Sequence, residues 1–234
     1  MADVLALGAH PDDVEICCGG LVALLSEQGR QVVIADLTRG EMSTRGSPEE
    51  RDLEARAAAE ELGVLGRRNL DLGDTRLSLT QASIDALIGL LREVRPRIVV
   101  GPFFSDAHPD HAAAAQLVKQ ACYLSGIRKR GTGKPHRPEH LLQYFSHELA
   151  TPSLIVDISS TFERKMRAVR KHASQLFDPN RNEPQTILSH PQFLERIEVR
   201  GRFFGNLIGC RYGEPYHQPH PPRVADLFSL LPAK

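Results

Sequence analysis

Short runs of apolar residues alternate along this chain with longer stretches in which apolar residues recur every three or four positions. The short runs are typical of buried β-strands, and the longer stretches have the period of amphipathic helices. The predicted strands cover residues 4–9, 31–37, 68–72, 97–100, 141–146 and 154–158. The predicted helices cover residues 14–28, 47–62, 83–94, 111–124, 161–174 and 191–207. Because such alternation requires helical crossovers, it predicts an α/β fold: a Rossmann-like, doubly wound, mostly parallel sheet with helices on both faces.

The overall composition is that of a soluble globular protein, with 234 residues, 41% of them hydrophobic and 25% charged. We expect a single domain over residues 1–234, because a chain of this length buries a sufficient core by itself. The domain is expected to end in a proline-rich, extended arm from about residue 212. A short apolar segment, residues 224–231, is able to dock after that arm.

The charges of the chain balance, with 29 lysine and arginine residues against 29 aspartate and glutamate residues. Nucleic acids and anionic membranes are bound through clustered cations, so neither is an expected partner. The sequence shows no membrane-spanning apolar run and no signal-peptide pattern, which favours a cytoplasmic protein. Its four cysteines form no Cys-x-x-Cys pair, which argues against a disulfide framework and against a cysteine-based zinc site.

Two polar clusters follow the first and the fourth predicted strands. Residues 10–13 read His-Pro-Asp-Asp, and residues 108–111 read His-Pro-Asp-His. In an open parallel sheet, ligands bind outside the carboxyl ends of the strands, so both clusters are expected at the place where chemistry occurs. Together they offer imidazole and carboxylate groups, and a catalytic zinc ion takes three such protein ligands and leaves one position for water.

The spacing inside the clusters indicates a role for each residue. His10 and Asp13 lie three positions apart across a tight turn, so their side chains can converge on a metal ion. His111 lies on the first turn of its helix and can reach inward as the third ligand. Asp12 is left free beside the metal, where a carboxylate can accept the proton of the attacking water as general base. His108 is the candidate that stabilises the oxyanion.

The carboxylate of Asp110 is expected to accept a hydrogen bond from one ring nitrogen of His108. This bond would raise the pKa of His108 and keep its ring cationic, so that the other N–H faces the oxyanion. The plain alternative for any one of these residues is a helix cap or a hydrogen-bonded turn. The other histidines lack a partner of ligand type at suitable spacing, and we expect them to be solvated or structural: His136, His140, His147, His172, His190, His217 and His220.

The two clusters resemble the signatures of the LmbE-like or PIG-L family, zinc-dependent deacetylases that remove acetyl from N-acetylglucosaminyl groups. Residues 9–13 match the signature Ala-His-Pro-Asp-Asp and residues 108–111 match His-Pro-Asp-His, and the similarity includes residues 36–41 and 156–159. The resemblance implies Zn²⁺ as cofactor, with Fe²⁺ or another divalent ion as alternatives. It implies the same roles: zinc on His10, Asp13 and His111, with Asp12 as base and with His108, oriented by Asp110, at the oxyanion.

Within this family the chain is most similar to the bacterial deacetylases that act on N-acetylglucosaminyl malate in bacillithiol biosynthesis. The similar stretches are residues 125–129, 135–137, 174–175 and 209–214. This resemblance implies that Arg51 and Arg137 bind substrate, and a guanidinium group suits the carboxylates of malate. It also implies a place near the active site for Tyr212, although this chain has Tyr-Gly-Glu where relatives commonly have Tyr-Ala-Glu.

The leading hypothesis is a metal-dependent amidohydrolase that removes acetate from a small N-acetylglucosamine conjugate, either the malate conjugate or another one. A non-haem Fe(II) oxygenase is the alternative of a different class, because two histidines and one carboxylate also form its facial triad. A nucleotide-binding domain is disfavoured, since no Gly-x-Gly-x-x-Gly follows the first strand. By analogy with relatives, we expect a homo-oligomer such as a hexamer.

Overall fold

One sheet organises the part of the chain that the structure, a computed structural model, describes: residues 2–221 and 223–226. Its seven strands are β1 (Val4–Gly8), β2 (Val32–Asp36), β3 (Gly66–Asn69), β4 (Ile98–Pro102), β5 (His140–Tyr144), β6 (Leu154–Asp157) and β7 (Gly213–His217). Their order across the sheet is β3-β2-β1-β4-β5-β7-β6. Strands β1 to β5 are parallel, and β7 is antiparallel to both of its neighbours. The predicted mostly parallel sheet is therefore confirmed.

Helices cover both faces of this sheet. Those in the described residues are α1 (Asp13–Glu27), α2 (Pro48–Leu62), α3 (Gln81–Val94), α4 (Pro109–Leu124), α5 (Phe162–Lys171) and α6 (Phe193–Leu207). In β1, Leu5 and Leu7 belong to the core that α3 and α4 cover, whereas Val4 and Ala6 belong to the core beneath α1 and α2. Burial on both faces explains why this strand is continuously apolar. None of the described helices is both long enough and apolar enough to span a bilayer.

Some element bounds differ from the predicted ones. The strand predicted at residues 68–72 is instead Gly66–Asn69, because Arg67 on β3 donates hydrogen bonds of 2.7 and 2.8 Å to Asp36 on β2. Helix α1 is kinked at Cys18, whose φ of −139° is not helical. Arg67 and Asp36 are 31 positions apart in the chain, so their contact has no local sequence signal.

Residues 213–217, at the start of the predicted proline-rich extended arm, form β7 between β5 and β6. Tyr216 is fully buried in this strand, and the carboxylate of Glu214 accepts hydrogen bonds of 2.9 and 2.8 Å from two backbone N–H groups at the α1 kink. Pro215 is tolerated because pairing with β5 is confined to the last two residues of β7. Of the predicted docking segment, residues 224–231, only residues 224–226 are described, and the rest lies outside the described residues.

Candidate active site

The two polar clusters meet at the carboxyl edge of the sheet. Strands β1 and β4 pair in parallel, so the loops that follow them lie side by side, and α1 and α4 begin in these loops. The ring centroids of His10 and His108 are 4.9 Å apart, and those of His108 and His111 are 4.8 Å apart. Residues about 100 positions apart in the chain thus share one site.

His10, Asp13 and His111 form a group that could hold a metal ion, since their ligand atoms lie within 4.8 Å of one another. Oδ1 of Asp13 lies 3.2 Å from Nε2 of His111, and Oδ2 lies 3.6 Å from Nδ1 of His10. Burial by itself would raise the pKa of Asp13, but the two histidines lower this pKa well below its ordinary value. Asp13 is therefore an anion. Two imidazoles and a carboxylate are a donor set that zinc and other divalent ions take, so the residues present fit such an ion. His10 also forms an overlapping set with His108 and Asp110.

Asp12 differs from Asp13 in conformation and in partner. Its side chain belongs to none of the metal-binding sets found among the described residues. Its carboxylate instead lies 3.1 Å from a guanidinium nitrogen of Arg51. The backbone of Asp12 has a φ of 129°, which is strained for a residue with a side chain and is typical of functional sites. Burial raises the pKa of Asp12, although Arg51 lowers it, and a raised pKa makes a carboxylate a better proton acceptor.

His108 is held by the backbone of its own helix. It is the N-cap of α4, and its Nδ1 accepts a hydrogen bond of 3.2 Å from the backbone N–H of Asp110. Because Nδ1 is an acceptor, the proton of the neutral ring is on Nε2, which is the donor. Burial, and then the charges of His10 and His111, lower the pKa of His108. The hydrogen bond to Nδ1 fits a neutral ring, which differs from the cationic His108 expected from the sequence.

The carboxylate of Asp110 also has a different partner from the one expected. It accepts a hydrogen bond of 2.8 Å from the backbone N–H of Thr75 and lies 3.3 Å from Nε2 of His10. No hydrogen bond joins it to the ring of His108 in the described residues. The physical reason is that the loop after β3 brings a backbone donor to this carboxylate.

Three further residues reach the site that sequence reasoning did not assign to it. Asp74 lies 3.2 Å from Nε2 of His10. Asp106 lies 3.5 Å from Nδ1 of His111 and 2.9 Å from Nδ1 of His147. Metal-binding histidines commonly contact a carboxylate through their second nitrogen, and this contact fixes the ring. The available signal was position, because Asp74 and Asp106 follow β3 and β4 at the same edge of the sheet.

The site opens into a cavity of ≈ 530 Å³. Residues of both clusters and His147 line it on the polar side. Its apolar wall comes from α1, α6 and the segment before α6: Ile16, Cys17, Ile187, Leu188, Phe193 and Ile197. Burial raises the pKa of Cys17 to about 12, so this thiol remains protonated and packs as a small apolar group. A cavity of this size accommodates a sugar-sized ligand.

The residues that the resemblance assigns to substrate binding take other positions. Arg51 lines the cavity, but its guanidinium donates to oxygens of the two loops around it. Arg137 lies beyond the far end of α4, where it donates to the carbonyl of Tyr123 and stacks 4.3 Å above that ring. Tyr212 is buried against Phe162, with ring centroids 3.7 Å apart. Neither Arg137 nor Tyr212 lines this cavity, and the expectation that they bind substrate stays a prediction.

Comparison with known proteins gives a consistent assignment. The family described as PIG-L: GlcNAc-PI de-N-acetylase matches residues 5–122. The diacetylchitobiose deacetylase of Thermococcus kodakarensis is 33% identical over 229 residues, which cover 90% of this chain and 80% of that protein. A probable N-acetyl-alpha-D-glucosaminyl L-malate deacetylase 2 of Bacillus cereus is 28% identical, over 74% of this chain and 83% of that protein.

A solved structure agrees over nearly the whole chain. A conserved protein from Thermus thermophilus has a TM-score of 0.89 and 36% sequence identity, over 97% of this chain and 99% of that chain. The segment matched to the family extends from β1 to α4 and contains both polar clusters. The chain therefore belongs to the PIG-L family of deacetylases.

Proposed function

We propose that this protein is a metal-dependent N-deacetylase, which hydrolyses the N-acetyl group of a small N-acetylglucosamine conjugate. One observation carries the proposal: the buried carboxylate of Asp12 adjoins a set of two imidazoles and one carboxylate that line the same cavity. Metal-assisted amide hydrolysis uses a Lewis acid, a proton acceptor for the attacking water and a donor for the oxyanion. This cavity has residues for each of these tasks.

Zinc is the ion that we propose for His10, Asp13 and His111, because three protein ligands with an open position are typical of catalytic zinc. When bound, such an ion supplies a Lewis acid and lowers the pKa of a water molecule. Non-haem Fe(II) oxygenases use the same kind of ligand set. Membership of a deacetylase family, and a parallel α/β sheet in place of a β-rich scaffold, favour hydrolysis.

The protein's own side chains move the protons. Asp12 accepts the proton of the attacking water, because it is next to the ligand set without being part of it. The Nε2–H of neutral His108 donates to the oxyanion that develops on the acetyl carbonyl. Asp12 then returns its proton to the amine as acetate leaves. Arg51 keeps the carboxylate of Asp12 in position throughout.

The substrate that we propose to test first is N-acetylglucosaminyl malate, and diacetylchitobiose is the neutral alternative. Each compound appears in the name of a deacetylase related to this chain, and both carry the N-acetylglucosamine group on which the proposed chemistry acts. The cavity of ≈ 530 Å³ has room for either compound.

The test is to incubate zinc-loaded protein with each compound and to measure acetate and free amine. We expect equal amounts of both products, and we expect chelation to abolish their release. Asp12→Asn, loaded with the same amount of zinc, is the control for contaminating activity. Release of products by this variant at the wild-type rate would contradict the proposed roles. Absence of product from both compounds with the wild-type protein would contradict the proposed function.

A further inference from the structure

Two arginines that line the cavity have no carboxylate partner among residues 2–221 and 223–226. The lysine and arginine side chains that line the cavity in the described residues are Arg51, Lys165, Arg196 and Arg200. Arg51 lies 3.1 Å from Asp12, and Lys165 lies 2.6 Å from Glu214. Neither Arg196 nor Arg200 forms an ion pair with a described residue, so their charges are uncompensated within the described part of the chain.

Both arginines have free hydrogen-bond donors. They are one helical turn apart on α6, so their side chains lie on the same face. Arg200 donates to the carbonyl oxygens of Phe145 and Ser146 at 2.6 and 3.0 Å, which uses two of the five N–H donors that a guanidinium group has. The guanidinium of Arg196, an exposed residue, donates to no described residue. Like charges at this spacing destabilise a helix, so the pair has no role in stabilising α6.

The carboxylates that line the cavity are held by other groups. Glu214 accepts hydrogen bonds from Lys165, from Tyr216 and from two backbone N–H groups of α1. Asp13 and Asp74 face the imidazoles of the ligand set. An anionic ligand that reaches the α6 wall therefore meets two cations and no free carboxylate among the described lining residues.

We propose that Arg196 and Arg200 form an anion-binding subsite for the aglycone of the substrate. The inference rests on the proposed deacetylase function and narrows its substrate class to N-acetylglucosamine conjugates that carry a carboxylate or a phosphate. A guanidinium group binds either oxyanion through paired, charge-assisted hydrogen bonds. The subsite takes the task that the family resemblance assigns to Arg51 and Arg137, of which the first is committed to Asp12 and the second lies outside the cavity.

Arg196→Gln is the variant that tests the subsite. Arg200 is left unchanged, because it also holds the loop that carries His147. Three compounds are compared: N-acetylglucosaminyl malate, N-acetylglucosamine 1-phosphate and neutral diacetylchitobiose. Calorimetry with metal-free protein measures binding without turnover, and acetate release by zinc-loaded protein measures kcat and KM. We expect the variant to bind at least one anionic compound on the order of tenfold more weakly. In turnover, this loss should appear as a higher KM and not as a lower kcat. Its affinity for diacetylchitobiose should stay within about twofold.

Arg202→Gln is the matched control, since it removes the same charge from α6 at a residue that lies outside the cavity and pairs with Glu198 at 2.8 Å. This control should bind all three compounds as the wild type does. Equal losses for all three compounds in Arg196→Gln, or unchanged binding of both anionic ones, would overturn the subsite even if acetate is released. Selective weakening without acetate release would support the subsite and contradict the deacetylase function. The anionic compound that loses affinity identifies the oxyanion.

Discussion

The carboxylate of Asp12 and the guanidinium of Arg51 form a buried ion pair, with Oδ2 and Nη2 3.1 Å apart. The same Nη2 donates to the carbonyl oxygen of Pro11 at 2.7 Å, and Nη1 donates to that of Gly40 at 3.1 Å. Gly40 has a φ of 64°, and a Cβ at this position would clash with the guanidinium. Because Asp12 itself has a strained φ of 129°, these contacts explain how the carboxylate that we propose as proton acceptor is kept in place.

Replacing Arg51 by lysine should lower kcat and leave KM nearly unchanged. An ammonium group lacks the planar fork that reaches three oxygens at once, so Asp12 is expected to move. A displaced catalytic group of this kind costs about 10- to 100-fold in rate. Steady-state kinetics, together with metal analysis, measures the effect. Bound zinc should be retained, because Arg51 donates to none of the three ligand side chains.

The matched control for this variant is Arg39→Lys. Arg39 also pairs with an aspartate, Asp52, at 2.8 Å, but both side chains are about one third exposed. Its kinetics should remain those of the wild type. If Arg51→Lys raised KM and left kcat unchanged, the result would favour the substrate-binding role that the family resemblance implies.

Asp12 and Asp13 are adjacent but should fail in different ways when each is replaced by asparagine. Asp12→Asn is expected to keep the metal and to lose at least about 100-fold in kcat, because an amide does not accept the proton. Asp13→Asn should lose the metal, because it removes the anionic ligand that lies between the two histidines. Metal content and acetate release measure both effects. Full zinc content in Asp13→Asn would contradict the proposed role of Asp13 as a metal ligand. Rapid turnover by Asp12→Asn would contradict the proposed role of Asp12 as proton acceptor.

The sequence could predict where the two clusters lie because each directly follows an apolar strand. Strands β1 and β4 are neighbours at the reversal point of a doubly wound sheet, and their loops must meet there. The period of the apolar residues was sufficient for this part of the fold. It also predicted that His111 stands on the first turn of a helix, where α4 has it.

Other parts of the site depend on contacts that leave no local signal. Asp74 and His147 reach the site from separate loops, and no spacing in the sequence links either of them to the clusters. The prolines around residue 215 indicate an extended arm, but they do not show that this segment pairs as a strand of the sheet and buries Tyr216. Arg137 matches a family position, yet α4 begins at the site and Arg137 lies past its other end.

Asp106→Asn should weaken zinc binding without removing a ligand. Asp106 contacts Nδ1 of His111. Burial by itself would raise the pKa of Asp106, but hydrogen bonds from His111 and His147 lower it. Loss of such a supporting carboxylate typically costs about 10- to 100-fold in metal affinity. Competition titration with a zinc chelator measures the change. Asp71→Asn is the control, because Asp71 is exposed and has a positive φ that asparagine tolerates. Equal zinc affinity in both variants would exclude the supporting role.

Arg67 should matter for stability. Its side chain is 6% exposed and donates hydrogen bonds to Glu15 and Asp36, which are both buried. Arg67→Met leaves two buried carboxylates without this cation, and breaking a buried pair in this way costs about 3–5 kcal/mol. Chemical denaturation should show a fall of this size in the free energy of unfolding. Arg68→Met, at a neighbouring side chain that is 58% exposed, should change it by at most about 0.5 kcal/mol.

The stability difference between the wild type and Arg67→Met should also narrow in acid. Burial by itself would raise the pKa of Glu15, but Arg67 and His172 lower this pKa from 4.5 to about 2. A carboxyl group with a lowered pKa stabilises the fold above its ordinary pKa, and this contribution is lost as the pH falls towards the folded value. In Arg67→Met, Glu15 should take up its proton at a higher pH, which removes the cost of its buried charge. The free energy of unfolding of both proteins is measured at about pH 7 and about pH 3, and the value of Arg67→Met is subtracted from that of the wild type at each pH. The titration of all unaffected groups cancels in this subtraction. A difference that stays constant or widens in acid would show that the charge of Glu15 is not what Arg67 compensates.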